Sequence, residues 1–237
     1  MRQMSLMIRA ALIVIWVIPT SVYAQPTISG DLSGVIGPGD FIVDGYCYVQ
    51  EGESLTILPG TRLLFSGHYS FNVYGELHAD GTQLDSIYFI RQYPTEECRH
   101  GGIRIQRGAS QNNTLTYCLV DYAFNPDFPD CWGGGVFCEG GGISMRNSTI
   151  TNCGALFGGG FCALFATVLL ENCHISDCYA IAEGGAFYSA FSSTEIIDCT
   201  VIGNTGDHVG GIYIYTNDYA EINGCISASN IATTEAG

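Results

Sequence analysis

The chain of 237 residues carries 23 Asp or Glu against 8 Arg and no Lys, a formal net charge of −15. That balance excludes nucleic acid and anionic lipid surfaces as partners and suits divalent cations or neutral glycans. Charged residues make up only 13% of the chain, while 31 residues are Gly and 12% are aromatic, a composition of extended sheet rather than disorder.

Residues 1–24 are set apart from the fold. Arg2 and Arg9 precede an apolar run from Ala10 to Ile18, and Val22-Tyr23-Ala24 ends in a small residue. This predicts a secretory signal peptide, too short and wrongly flanked for a membrane span, and therefore a secreted or cell-surface protein. No other stretch is long and apolar enough to cross a bilayer. Export permits disulfides among the eleven Cys, and their odd number leaves at least one thiol over.

From residue 25 to 95 the chain alternates short apolar runs with Gly-bearing turns, as in "LTILPGTRLLF" and "FNVYGELHADGT". These residues are expected to form the N-terminal capping coils. From residue 96 to 237 a period sets in. Gly-Gly pairs fall at 101–102, 134–135, 159–160, 184–185 and 210–211. A second column holds Cys118, Ser148, Cys173, Cys199 and Cys225. A third, five residues on, holds Ala123, Cys153, Cys178, Asn204 and Asn230. The first interval is lengthened by an insertion, Phe124 to Trp132. Three columns in one register, short alternating runs and Gly/Asn turns predict an all-β, single-stranded parallel β-helix with rungs of about 25 residues. Its rungs stack about 4.8 Å apart, so about eight make a rod on the order of 40 Å long.

Within each rung, the first and third positions after the Gly pair are expected to point inward. They are Ile103, Val136, Phe161, Ala186 and Ile212, and then Ile105, Cys138, Ala163, Tyr188 and Ile214. The second position then faces out, which places Phe137, Phe187 and Tyr213 in one outer row suited to contact with a glycan or a partner protein.

The rungs "GGAFYSA", "GGIYIY" and "NCHISDC" resemble those of secreted bacterial right-handed parallel β-helix proteins of the pectin-lyase-like superfamily. Gly184 to Phe187 is also similar to the GGA[I/L/V] repeat of polymorphic outer-membrane proteins, whose FxxN motif is not found here. The resemblance implies a right-handed coil. It leaves function open, because this architecture hosts lyases, hydrolases, epimerases, adhesins and inert rods. The coil is expected to break off in mid-rung: Asn204 is followed by Gly210-Gly211, and Asn230, at the same offsets, by Ala236-Gly237. The chain is therefore read as a fragment.

The chemistry of those enzymes does not map onto this chain. No Arg aligns with an acidic column of neighbouring rungs, and no column offers the paired carboxylates of glycoside hydrolysis. Asp207-His208 lies in a variable turn and is read as solvated. No residue is assigned a catalytic role, and no metal set is assigned: CxxC is absent and His174 beside Cys173 is lone. The insertion is the remaining candidate. It gathers Asp121, Asp127 and Asp130 with Tyr122, Phe124, Phe128 and Trp132. Three carboxylates suit Ca²⁺ and the rings suit sugars, the alternative being a Pro-kinked loop packed on the coil. Cys98 and Cys131, each three residues before a Gly pair, are the first choice for a disulfide. Cys153 over Cys178 and the file Cys173, Cys199, Cys225 are read as either bonded or a reduced stack. Asn204 above Asn230 begins a structural amide ladder.

The expected function is that of a non-catalytic, adhesin-like surface rod offering a face to a polysaccharide or surface protein. The competing readings are a polysaccharide lyase or glycoside hydrolase, with its site in the 121–132 insertion or in rungs beyond this chain, and a purely structural spacer.

Overall fold

A computed structural model describes residues 25–128 and 130–234. The signal-peptide reading and the expected break at Ala236-Gly237 lie outside the described residues. Among the described residues, all regular structure is β-strand except one 3₁₀ turn, Glu96–Cys98. Every strand pairing is parallel, and each strand pairs with its counterpart in the next rung. The chain is a β-solenoid with three faces.

The first face stacks Phe71–Val73, Ile103–Ile105, Val136–Glu139, Phe161–Leu164, Phe187–Ala190 and Ile212–Tyr215. The second is one eight-stranded sheet running from Gly34–Ile36 to Tyr219–Asn223. The third stacks Thr61–Phe65, Ile87–Arg91, Cys118–Asp121, Thr149–Thr151, His174–Ser176, Thr200–Ile202 and Ile226–Ala228. The long strand Gly39–Val49 belongs to two faces, pairing with Thr61–Phe65 through its first half and with Phe71–Val73 through its second. A fourth, five-stranded ribbon of two-residue strands, Phe124–Asn125 to Ile231–Ala232, links the third face to the first.

Single residues in the left-handed region turn the chain between faces. Tyr117, Asn147, Asn172, Asp198 and Gly224 turn it from the second face to the third, and Tyr122, Asn152, Asp177, Gly203 and Ser229 from the third to the ribbon. Asn, Asp and Gly suit that conformation. The residue after the corner points into the coil, and at five of these corners its N–H is accepted by a side chain of the next rung. Cys118 N–H bonds Ser148 Oγ at 2.9 Å, Cys178 N–H bonds Asn204 Oδ1 at 2.9 Å, and Asn204 N–H bonds Asn230 Oδ1 at 3.0 Å. The two Cys/Ser/Asn columns of the sequence are these post-corner residues, small and polar because a buried N–H needs a partner. Asn204 is fully buried, and its amide also donates to Ile175 O at 3.0 Å and Asn230 Oδ1 at 2.9 Å. Asn204→Ala leaves the Cys178 N–H and the Ile175 carbonyl without these partners. It is expected to cost about 1–3 kcal/mol, read as a lower urea midpoint.

The glycine column comes from close approach of rungs. A Cβ on Gly134, Gly159, Gly185 or Gly210 would lie 2.2 or 2.3 Å from a backbone carbonyl oxygen of the next rung. The register corrects one sequence assignment. Phe161 pairs with Phe187, and Phe187 with Ile212. The equivalent of Gly159-Gly160 is thus Gly185-Ala186, while Gly184 takes the left-handed corner that Gly158 takes one rung earlier. Ala155 pairs with Ala180, 25 residues on, but Phe161 pairs with Phe187, 26 on, so the extra residue sits in the turn after Ala180. Phe187 therefore points into the core with no exposed surface, and Tyr188 points out.

Candidate functional site

The outer surface of the first face gathers most of the candidate residues, and the insertion determines which of them are accessible. Buried Asn125 pins the start of that loop, its amide donating to Gly101 O at 3.0 Å and to Gly133 O and Gly134 O at 3.3 Å. The carbonyl of Cys131 pins the far end by accepting Leu156 N–H at 3.0 Å and Phe157 N–H at 3.2 Å. Arg104, Phe137 and Cys162, successive outward residues of the first face, are buried. The Arg104 guanidinium sits 4.7 Å over the Phe137 ring and donates to Gly133 O at 3.3 Å. Burial pulls its pKa down, and nearby Asp130 counteracts this.

The outer row is thus not the expected Phe137, Phe187 and Tyr213. Phe137 is only 5% exposed, Phe187 is core, and Tyr213 alone lies on the outer face. The rings that line up outside are Trp132, Phe157, Tyr188 and Tyr213. Trp132 stacks on Phe157 with centroids 4.5 Å apart and planes at 17°, Phe157 lies 5.4 Å from Tyr188, and Tyr188 stacks on Tyr213 at 5.4 Å and 16°. Strand pairing aligns Trp132 with Phe157 and Tyr188 with Tyr213, and the two pairs meet where Tyr188 packs at a tilt against both Phe157 and Trp132, 5.4 and 5.9 Å away. Sequence reasoning missed Phe157 and Tyr188. A signal for Phe157 was present, because Trp132 and Phe157 each precede a run of three glycines and bridge directly.

Beside this row, a cavity of about 200 Å³ is lined by Arg104, Asp130, Trp132, Phe137 and Glu139 among others. A second, of about 380 Å³, lies over the ribbon between Arg99, Tyr122, Phe124, Asn152, Asp177 and Tyr179.

The three carboxylates of the insertion do not converge. Asp121 accepts from Asn152 Nδ2 at 2.8 Å on the third face, and burial raises its pKa. Asp127 is exposed, and Asp130 is exposed on the Arg104 side of the loop. Among the described residues, no three His, Cys, Asp or Glu side chains sit close enough to hold a metal ion, so these carboxylates build no Ca²⁺ cage. Phe128, at the loop tip, is 73% exposed.

Cys98 and Cys131 are not joined. Cys98 Sγ donates to Ser66 O at 3.5 Å, whereas Cys131 lies beside Arg104 and Cys162, and every described cysteine is a free thiol. Equal spacing from the Gly pairs misleads here, because the insertion carries Cys131 over the outer face. Cys153 and Cys178 occupy one column with Asn204 and Asn230, as thiols. Burial pushes Cys47 and Cys138 up to about 12, which suits packing rather than reactivity. Asp207 and His208 form no isolated pair: His208 Nδ1 is 3.1 Å from Glu183 Oε1 and 3.8 Å from Asp207 Oδ2, and more than half of its side chain is exposed.

Fold and site together define a β-helix repeat protein, a rigid coil that holds aromatic side chains on its outer surface. A family model described as "right handed beta helix region" matches residues 123–234, the rungs that carry the outer row. Neither the curated proteins nor the solved structures contain a match to the chain.

Proposed function

We propose that the protein is an exported, non-catalytic rod whose outer first face makes contact with a glycan through Trp132, Phe157, Tyr188 and Tyr213. The supporting observation is the ring cluster itself: four half-buried rings in contact, Trp132 on Phe157 and Tyr188 on Tyr213 each aligned by strand pairing, offering flat apolar edges beside hydroxyl groups. Such rings pair an apolar body with a polar tip and lose little entropy on binding. The negative charge of the chain favours neutral sugars over acidic ones. A lyase or hydrolase reading needs carboxylates or an Arg aimed at a common point, and Asp121, Asp127 and Asp130 do not gather into one cluster.

The test is binding and turnover on a panel of neutral and acidic polysaccharides, with and without Ca²⁺. Neutral polysaccharide is expected to bind, and Tyr188→Ser with Tyr213→Ser is expected to weaken it about tenfold or more, the loss of roughly one good stacking contact per ring. Turnover abolished by Asp121→Ala, Asp127→Ala and Asp130→Ala would replace this reading with an enzymatic one.

A further inference from the structure

A second aromatic ladder runs along the corner between the first and second faces. Phe165 and Phe191 stack with centroids 5.2 Å apart and planes at 8°, and Tyr215 meets Phe191 edge-on at 5.8 Å. Phe165 is 56% exposed, Phe191 43% and Tyr215 50%. Both Phe residues adopt the left-handed conformation, with φ of 52°. The equivalent corner is Gly140 one rung earlier and Thr216 one rung later, with Tyr215 ending the strand beside it, and the corners of the other faces use mostly Asn, Asp or Gly. A bulky residue is costly in that region and persists where something else requires it. Two large rings are therefore held in a strained backbone, facing water, and in parallel.

The first ring of this ladder shows what such a ring takes. Arg107 lies 5.9 Å over Phe165 and is held by Glu139 at 2.8 Å, so ring, guanidinium and carboxylate meet. The ring–guanidinium contact recurs. Arg91 covers Tyr122 at 3.4 Å, Arg99 covers Phe124 at 4.6 Å, and Arg104 covers Phe137 at 4.7 Å. Four of the six Arg beyond the leader thus cover an aromatic ring. From Asn147 to Gly237, however, there is no Lys or Arg at all, against nine Asp or Glu. Phe191 and Tyr215 lie in that stretch. Beside them on the second face, Glu195 pairs in register with Glu221, two like charges on adjacent strands with no ion-pair partner among the described residues. Tyr219 borders them, its hydroxyl donating to Glu221 Oε2 at 2.6 Å. The later rungs keep the rings and lack the cation; Leu164 and Ala190 hold the place of Glu139, and the carboxylates there are Glu195 and Glu221 on the adjoining second face.

We infer that this corner docks a basic segment of a partner protein, whose Arg side chains stack on Phe191 and Tyr215 and pair with Glu195 and Glu221. Guanidinium fits because it is planar, weakly hydrated, and able to stack on a ring while bonding a carboxylate. The inference goes beyond the glycan reading and rests on different residues, so either can fail alone.

The test is titration of a fluorescent hexa-arginine peptide into the full chain. The peptide is expected to bind, and binding is expected to weaken as salt is raised to about 0.5 M. Phe191→Asn places at the corner the residue type that Asn147, Asn152 and Asn172 already use, so the coil stays folded, which circular dichroism verifies. It is expected to weaken binding about tenfold, as is the pair Glu195→Gln and Glu221→Gln. The distant pair Glu51→Gln and Glu53→Gln is expected to leave binding within about twofold. Equal weakening by the distant pair would reduce the effect to bulk charge and overturn the inference. So would binding indifferent to both Phe191→Asn and the Glu195 pair. A neutral oligosaccharide that binds where the peptide does not, and is lost in Phe191→Asn, would give the corner to a sugar instead.

Discussion

Phe187→Ala lowers the free energy of unfolding by about 3–5 kcal/mol, while Tyr188→Ala, one residue on, lowers it by about 1 kcal/mol. Phe187 is fully buried and stacks on Phe161 of the preceding rung with centroids 5.3 Å apart. Alanine removes its apolar area and leaves a cavity between rungs that parallel pairing holds at fixed spacing and cannot close. Because a solenoid is stabilised by contacts between neighbouring rungs, the loss falls on both interfaces of the 187–190 strand. Tyr188 loses ring contacts to Trp132, Phe157 and Tyr213 on the half-exposed outer surface. Urea unfolding of the two variants measures the difference. The opposite order would mean that Gly184-Gly185, not Gly185-Ala186, aligns with Gly159-Gly160.

That alignment shows where sequence reasoning reached and where it stopped. The parallel coil, its period and its columns were legible because each rung repeats the same physical need. Left-handed corners call for Asn, Asp or Gly, the next N–H calls for a small acceptor, and close rung contact calls for Gly. The facing of Phe187 was not legible. It depends on one extra residue in the turn after Ala180, and strand alternation turns any one-residue slip into an inversion of inside and outside. The Gly-Gly pair at 184–185 concealed the slip, since its first glycine serves the corner and its second the rung contact. The insertion was legible as a departure from the period, but not as a cover. Its position over Phe137 follows from the Asn125 amide and the Cys131 carbonyl, tertiary contacts with no local signature. The corner ladder was legible only in part. Phe165 and Phe191 are 26 residues apart, but their left-handed backbone, which marks them as unusual, is a property of the coil.

Acidification is expected to weaken the coil through His100, which sits directly before the first Gly pair. Its ring is fully buried and stacks on Phe65 with centroids 4.3 Å apart. Nδ1 accepts the Gly102 N–H at 3.2 Å, so it carries no proton, and Nε2–H donates to Asp121 O at 3.0 Å. Both nitrogens are satisfied in one neutral tautomer. A second proton would face an N–H donor inside an apolar core, and burial accordingly lowers the pKa from 6.5 to about 4. With the folded value below the unfolded one, the folded state binds fewer protons, so the contribution is complete above pH 6.5 and is lost as the pH falls toward 4. By pH 4.5 the loss reaches about 2–3 kcal/mol. The lowered carboxylates Glu76 and Asp207 act in the same direction but over a more acidic range, because acids of this type titrate near or below pH 4.5. The comparison that isolates the imidazole is wild type against His100→Gln, by urea midpoint at pH 7.5, 5.5 and 4.5. The variant starts less stable, and its curve is flatter across that window. Parallel curves would show that His100 is protonated in the folded coil, with the Gly102 N–H bonded elsewhere.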